Sequence, residues 1–156
     1  MNIRVIDFEI LTRHYKTYRE GVEKIEAEKK IFLEKLEPLK KEMNSIISAA
    51  SSGLIMDPNT QQNRIDDFQR LQQEALEMDK DFKVVLKKMT DELNEKVYDE
   101  LSSLISDWSI KNDIDLVTGK MEVIYSNDKY DATKSILDIL KETDMFVEFS
   151  INEKES

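Results

Sequence analysis

Residues 22–50, VEKIEAEKKIFLEKLEPLKKEMNSIISAA, decide the fold. Val22, Ile25, Lys29, Phe32, Leu36, Leu39, Met43, Ile46 and Ala50 follow at alternating steps of three and four, and Lys29 is their one polar member. Such steps place the side chains on one slowly drifting stripe of a helix. A second stretch, FQRLQQEALEMDKDFKVVLKKMTDELNEKVYDELSSL at 68–104, repeats the pattern through Phe68, Leu71, Ala75, Met78, Phe82, Val85 and Met89. It then takes three steps of four to Leu93, Val97 and Leu101 and a last step of three to Leu104. Two long striped helices joined by a short turn predict an antiparallel helical hairpin.

The turn lies in GLIMDPNT, residues 53–60. Gly53 suits a helix stop, and Asp57 before Pro58 suits a helix start. The first helix is predicted over about 22–52 and the second from 58 or 63 to 111. Pro38 removes a backbone donor inside the first helix and predicts a kink. Gly21 is read as a break before the hairpin.

Both ends of the chain change period. NIRVIDF at 2–8 is rich in β-branched residues and reads as a strand, and 9–20 as a short amphipathic helix. In DIDLVTGKMEVIYSN, residues 113–127, Ile114, Leu116 and Val117 read as one strand of a β-hairpin. Gly119 and Lys120 make its turn, and Met121 to Tyr125 the return strand. Residues 131–142 read as a helix capped by Asp131, with an apolar face of Ile136, Leu137, Ile139 and Leu140. MFVEFSI at 145–151 is a candidate further strand. The expected fold class is α+β, mostly α. A helical-hairpin arm at 22–108, with its tip at 51–62, is inserted into a small β-containing body made of 1–21 and 109–156.

Composition narrows the function. The formal charge is −10, and charged residues make up 36% of the chain. No basic stripe for nucleic acid dominates, and strong binding to anionic membranes is not expected. There is no Cys, which removes disulfides, thiolate metal sites and Cys nucleophiles. The start MNIRVIDFEIL is broken by charge and does not read as a signal peptide. A native Met1 would mean a cytoplasmic protein. The alternative is a periplasmic protein whose signal was removed before Met1 was added.

Catalysis finds little footing. The only His, His14, reads as a structural or surface residue, and the pairs Asp66/Asp67 and Asp79/Asp81 diverge on a helix. No phosphate-binding Gly loop occurs, and Asn112, Asp113 and Asp115 lack the spacing of a calcium loop. No catalytic residue, metal or cofactor is expected. Between Met43 and Ile65 the only charged side chains are Asp57 and Arg64. Ile46, Ile47, Leu54, Ile55 and Met56 there either close the hairpin on themselves or offer an apolar contact to a partner. Phe32, Phe68, Phe82, Met78 and Met89 read as the hairpin's own seam. Trp108, Tyr98, Ile105 and Ile110 are expected in the core or in a subunit interface, with Tyr15, Tyr18 and Tyr125 nearby.

The order strand, short helix, long helical hairpin, β-hairpin, C-terminal helix resembles the Skp/OmpH family of periplasmic holdase chaperones. DIDLVTGKMEVIYSNDKYDATKSILDILKE at 113–142 carries the most specific likeness, through Asp115, Leu116, Val117, Val123, Tyr125, Ala132 and Ile136 to Leu140. VIDFEIL at 5–11 looks like the family's first strand entering its first helix. The resemblance implies a jellyfish-like homotrimer that encloses unfolded clients between three arms without ATP. Val5, Ile6, Phe8, Trp108, Leu116, Val117, Val123 and Tyr125 would then belong to the oligomerisation body. Family members are commonly basic and carry cleavable signals, and this chain departs on both points. The alternative is a structural or scaffold coiled coil, or an assembly factor with one dedicated partner.

Overall fold

The structure, a computed structural model, describes residues 1–53 and 56–149. Strand β1 (Ile3–Ile6) leads into helix α1 (Phe8–His14), then α2 (Lys16–Ser51) and α3 (Pro58–Lys111). Strand β2 (Leu116–Gly119), two short 3-10 turns and helix α4 (Thr133–Glu142) complete the order. The mostly helical fold with one small sheet agrees with the fold class expected from the sequence. The chain divides into two compact units: residues 1–23 with 91–156, and residues 24–90.

The first unit is built around β1. β1 pairs with β2 in parallel, Ile3 opposite Leu116 through Ile6 opposite Gly119. On the other edge of β1, the Ala132 N–H donates to the Val5 carbonyl at 2.9 Å. Asp7 ends the strand and caps α1 by accepting from the Ile10 N–H at 3.2 Å, which satisfies an otherwise orphaned helix donor. Ile6, Leu11, Tyr15, Val97, Leu101, Ile105, Ala132, Ile136 and Leu140 form the buried core. Ile136 and Leu140, one turn apart, bring the apolar face of α4 into it. The Asp131 side chain accepts from the Thr133 N–H at 2.9 Å at the start of α4.

Four expectations for this unit are corrected. Residues 114–125 form no β-hairpin: β2 takes β1 as its partner, and after Gly119 the chain turns into a 3-10 segment, Lys120–Glu122. Met121, Ile124 and Tyr125 are left exposed on this chain, so Tyr125 does not join a cluster with buried Tyr15. The break between α1 and α2 falls at Tyr15, and α2 runs through Gly21. Tyr15 takes an extended backbone conformation, with ψ at 123°. The flanking peptides pair with the C-terminal segment: the Lys16 N–H donates to the Met145 carbonyl at 2.9 Å, and the Val147 N–H to His14 at 2.8 Å. Gly21 serves close packing, since a Cβ there would collide with the Leu93 side chain. The segment from 145 makes one isolated bridge, Phe146 with Tyr15, and no strand among its described residues. Ser150 and Ile151 lie outside the described residues.

The second unit is a pair of helices with a thin interior. Along α2 the less exposed positions are Lys29, Phe32, Leu36, Leu39, Met43 and Ile46, beside buried Ile25, as the three-four stripe predicts. The stripe then moves to Ala49, and Ala50 is exposed. On α3, Leu86 takes the seam position expected for Val85, which is exposed. Both steps from Phe82 are helical, and the four-residue step to Leu86 keeps register with Met89. Ile25 and Leu71 are the buried residues of this unit among those described. Phe32 and Phe82 stack across the seam, centroids 4.2 Å apart and rings 3° from parallel. Lys29 keeps its ammonium at the surface, 3.1 Å from Glu26. The helix is continuous across Pro38.

Candidate functional site: an apolar groove at the helical turn

The start of α3 is fixed by a local cap. Asp57 precedes Pro58 and accepts two hydrogen bonds from Thr60, 2.9 Å from its N–H and 2.8 Å from its hydroxyl. These bonds favour the carboxylate and hold the Asp57 acid below its ordinary range. Pro58 lacks an N–H at a position where the donor would have no helical partner, so the start costs little. On the α2 side Gly53 has φ +72°, the left-handed conformation common just past a helix end.

This local geometry brings together a groove of about 740 Å³. Ile46, Ile47 and Ala50 line it from α2, and Met56 from the turn. Arg64, Ile65 and Phe68 line it from α3, together with Gln61, Gln69 and Gln72. Three of the five tip residues singled out in the sequence, Ile46, Ile47 and Met56, therefore share one surface. Leu54 and Ile55 lie outside the described residues. The α3 wall was missed: Phe68 was read as seam, and Ile65 as the edge of a charge-poor stretch. The helical spacing of Ile65 and Phe68, one turn apart, carried that signal.

The groove is suited to apolar contact. Ile47 and Ile65 are each about half exposed, and Met56 is partly covered. A thioether beside branched aliphatic chains adapts to partners of varied shape. Neighbouring acids are engaged elsewhere: Asp66 accepts from the Gln62 amide at 2.9 Å, and Asp67 faces Arg70 at 3.8 Å.

Elsewhere the sequence candidates fall as follows. His14 Nδ1 lies 2.9 Å from the Val147 carbonyl, and its ring stacks on Phe146 at 4.8 Å. Both contacts hold the C-terminal segment against α1. Among the described residues no group of His, Asp or Glu could hold a metal ion, and no helix is long and apolar enough to cross a membrane. Val5 and Ile6 are buried within the first unit, while Phe8, Trp108 and Val117 pack partly against its core. Val123 is partly covered. Leu116 and Tyr125 are exposed, as are Tyr98, Ile110, Met121 and Ile124. A further hollow of about 620 Å³ in this unit is lined by Phe8, Tyr98, Ile105, Ile114, Leu116 and Val117. Burial pushes the Tyr15 phenol above its ordinary range, and the neighbouring Glu100 carboxylate adds to the shift.

The sequence model of one protein family, described as outer membrane protein (OmpH-like), matches residues 2–140. A solved crystal structure from Caulobacter crescentus CB15, provisionally described as an outer membrane chaperone (OmpH-like), shares the fold with a TM-score of 0.76. The two sequences are 9% identical, and the alignment covers 96% of this chain and 89% of the other. None of the curated proteins compared with the chain matches it.

Proposed function

The chain belongs to the OmpH-like outer membrane protein family, a family of chaperones, and on that premise we propose that it is an ATP-independent holdase. Its task is to keep unfolded client proteins out of aggregates. Clients meet the apolar groove at the helical turn, and several weak contacts of this kind add to a useful affinity when copies of the chain assemble. The groove carries this reading, because it offers contiguous apolar surface beside a long charged helix pair.

Assembly is proposed to be a homotrimer formed through the first unit. Tyr98, Ile110, Leu116, Met121, Ile124 and Tyr125 support it: six large apolar side chains are exposed there on a single chain. Large apolar side chains grouped on one unit are best explained by burial against a second copy. The family places its members in the periplasm or at the outer membrane. We therefore favour the periplasm over the cytoplasmic location expected from a native Met1. The acidic charge leaves nucleic acid an unsuitable partner.

The test is light scattering from an aggregation-prone protein diluted from urea, with no nucleotide present. Suppression at near-stoichiometric trimer, lost when Ile47 and Ile65 are both changed to Ser, supports the holdase. Undiminished scattering in the presence of the intact oligomer refutes it and favours a scaffold with one dedicated partner.

A further inference from the structure

Asp57 and Pro58 connect the helical turn to the start of α3, and no other Asp precedes a Pro in the chain. The second Pro, Pro38, follows Glu37 inside α2. An Asp carboxylate reaches its own backbone carbonyl carbon through a five-membered ring. Held that close, a weak nucleophile acts at a high effective concentration. The Pro nitrogen on the far side of that carbonyl belongs to a tertiary amide, and its higher basicity makes it the better leaving group in acid. Asp57 and Pro58 are both exposed, so water and protons reach the bond. The carboxylate itself is engaged: Oδ1 accepts from the Thr60 N–H at 2.9 Å, and Oδ2 from the Thr60 hydroxyl at 2.8 Å.

We infer that the turn carries a self-cleavage site: in acid the Asp57 carboxylate cuts the chain between Asp57 and Pro58, and Thr60 restrains the cut. The cut is independent of what the groove holds. One carboxylate oxygen bonds to the Asp57 carbonyl carbon, and the bond from that carbon to the Pro58 nitrogen breaks. Its electron pair stays on the nitrogen, which takes a proton from the acidic solvent. One water opens the cyclic anhydride left on Asp57, so the net change is the hydrolysis of one peptide bond. Thr60 opposes this because one oxygen must leave it before the ring can close. Its N–H and hydroxyl also hold the Asp57 acid below the ordinary range, so the restraint persists into acid and weakens as pH falls through that lowered value. The cut removes both Thr60 bonds and the one from the Gln61 N–H to the Asp57 carbonyl, 3.1 Å long. It also leaves a positive amine at the start of α3, where the helix dipole disfavours it. The first turn of α3 loosens, and Met56 is parted from the α3 wall of the groove. The two pieces, 1–57 and 58–156, stay together, because residues 1–23 and 91–156 share the first unit.

The full chain is incubated at the lowest pH at which circular dichroism shows the helices intact, beside a sample unfolded in urea at the same pH. Denaturing mass spectrometry follows both. Fragments 1–57 and 58–156 grow in, faster in urea, where the cap is gone. The Glu37–Pro38 bond stays whole, since its ring would need six members. Asp57→Ser keeps a capping oxygen without the carboxylate and abolishes the cut. Thr60→Ala speeds the cut of the folded chain about fivefold, the weight of one exposed hydrogen bond, and Thr60→Ser leaves it unchanged. In urea all Thr60 variants cut at one rate. Native mass spectrometry of the cut chain shows the uncut mass plus one water per protomer. No cut in the folded chain, a cut that survives Asp57→Ser, or a Thr60→Ala effect that is absent when folded or equal in urea overturns the inference.

Discussion

Gly21 lies within α2, where glycine is a poor helix former, so replacing it by Ala should stabilise the chain by about 1 kcal/mol on helix propensity alone. The packing predicts the opposite sign. A Cβ on Gly21 would lie 2.7 Å from Leu93 Cδ2 and 3.0 Å from Cγ, with Cδ1 closer still. The shortest contacts are to the Leu93 methyls, and Leu93 is packed against the core of the first unit, which limits the rotamers that could relieve them. Forcing a methyl into a filled site costs about 1–3 kcal/mol. Set against the propensity gain, Gly21→Ala should destabilise by about 1 kcal/mol. In a Leu93→Ala background the collision is gone, and the same substitution should stabilise by about 1 kcal/mol. The coupling between the two sites is then about 2 kcal/mol, large for a single pair. Urea unfolding followed by far-ultraviolet circular dichroism, at one protomer concentration for all four variants, measures it. If Gly21→Ala stabilises the chain whether or not Leu93 is present, the close approach of α2 and α3 at this point is wrong.

Two further outcomes follow from named contacts. The stacked Phe32 and Phe82 should show a coupling of about 0.5–1.5 kcal/mol in a double-mutant cycle to Leu, and a coupling of zero would refute the stack. Burial alone would raise the Asp131 pKa, but the Thr133 hydroxyl, the Thr133 N–H and the Lys120 charge outweigh it and hold the acid below its usual 3.8. A depressed folded pKa stabilises the fold above the unfolded value and loses that contribution as pH falls through the folded one. Asp131→Asn should therefore lower the melting temperature at pH 7, with the gap to the unaltered chain closing below about pH 3.8. A gap that is constant with pH would contradict it.

The helical hairpin was legible because its stripe recurs over many turns, and small errors shift one position without changing the element. Val85 and Leu86 show the limit: both are apolar and adjacent, so strict three-four alternation chose the wrong one. The start of α3 was readable from Asp57 and Pro58, since a cap and a helix-compatible ring act locally. Elements that depend on distant partners were not readable. β2 resembles half of a hairpin because it ends on Gly119, yet its partner β1 lies at the far end of the chain. The break at Tyr15 depends on Met145 and Val147, whose backbone groups supply bonds that no local pattern announces. Arg64 was visible as a charge in a charge-poor stretch, but its place in the groove wall is a product of packing.

Native mass spectrometry of the purified chain, mixed with an aggregation-prone protein diluted from urea and without nucleotide, tests the central claim most directly. The account predicts a trimer that gains the mass of one client. A trimer that never gains client mass, or a chain that stays monomeric, would contradict it.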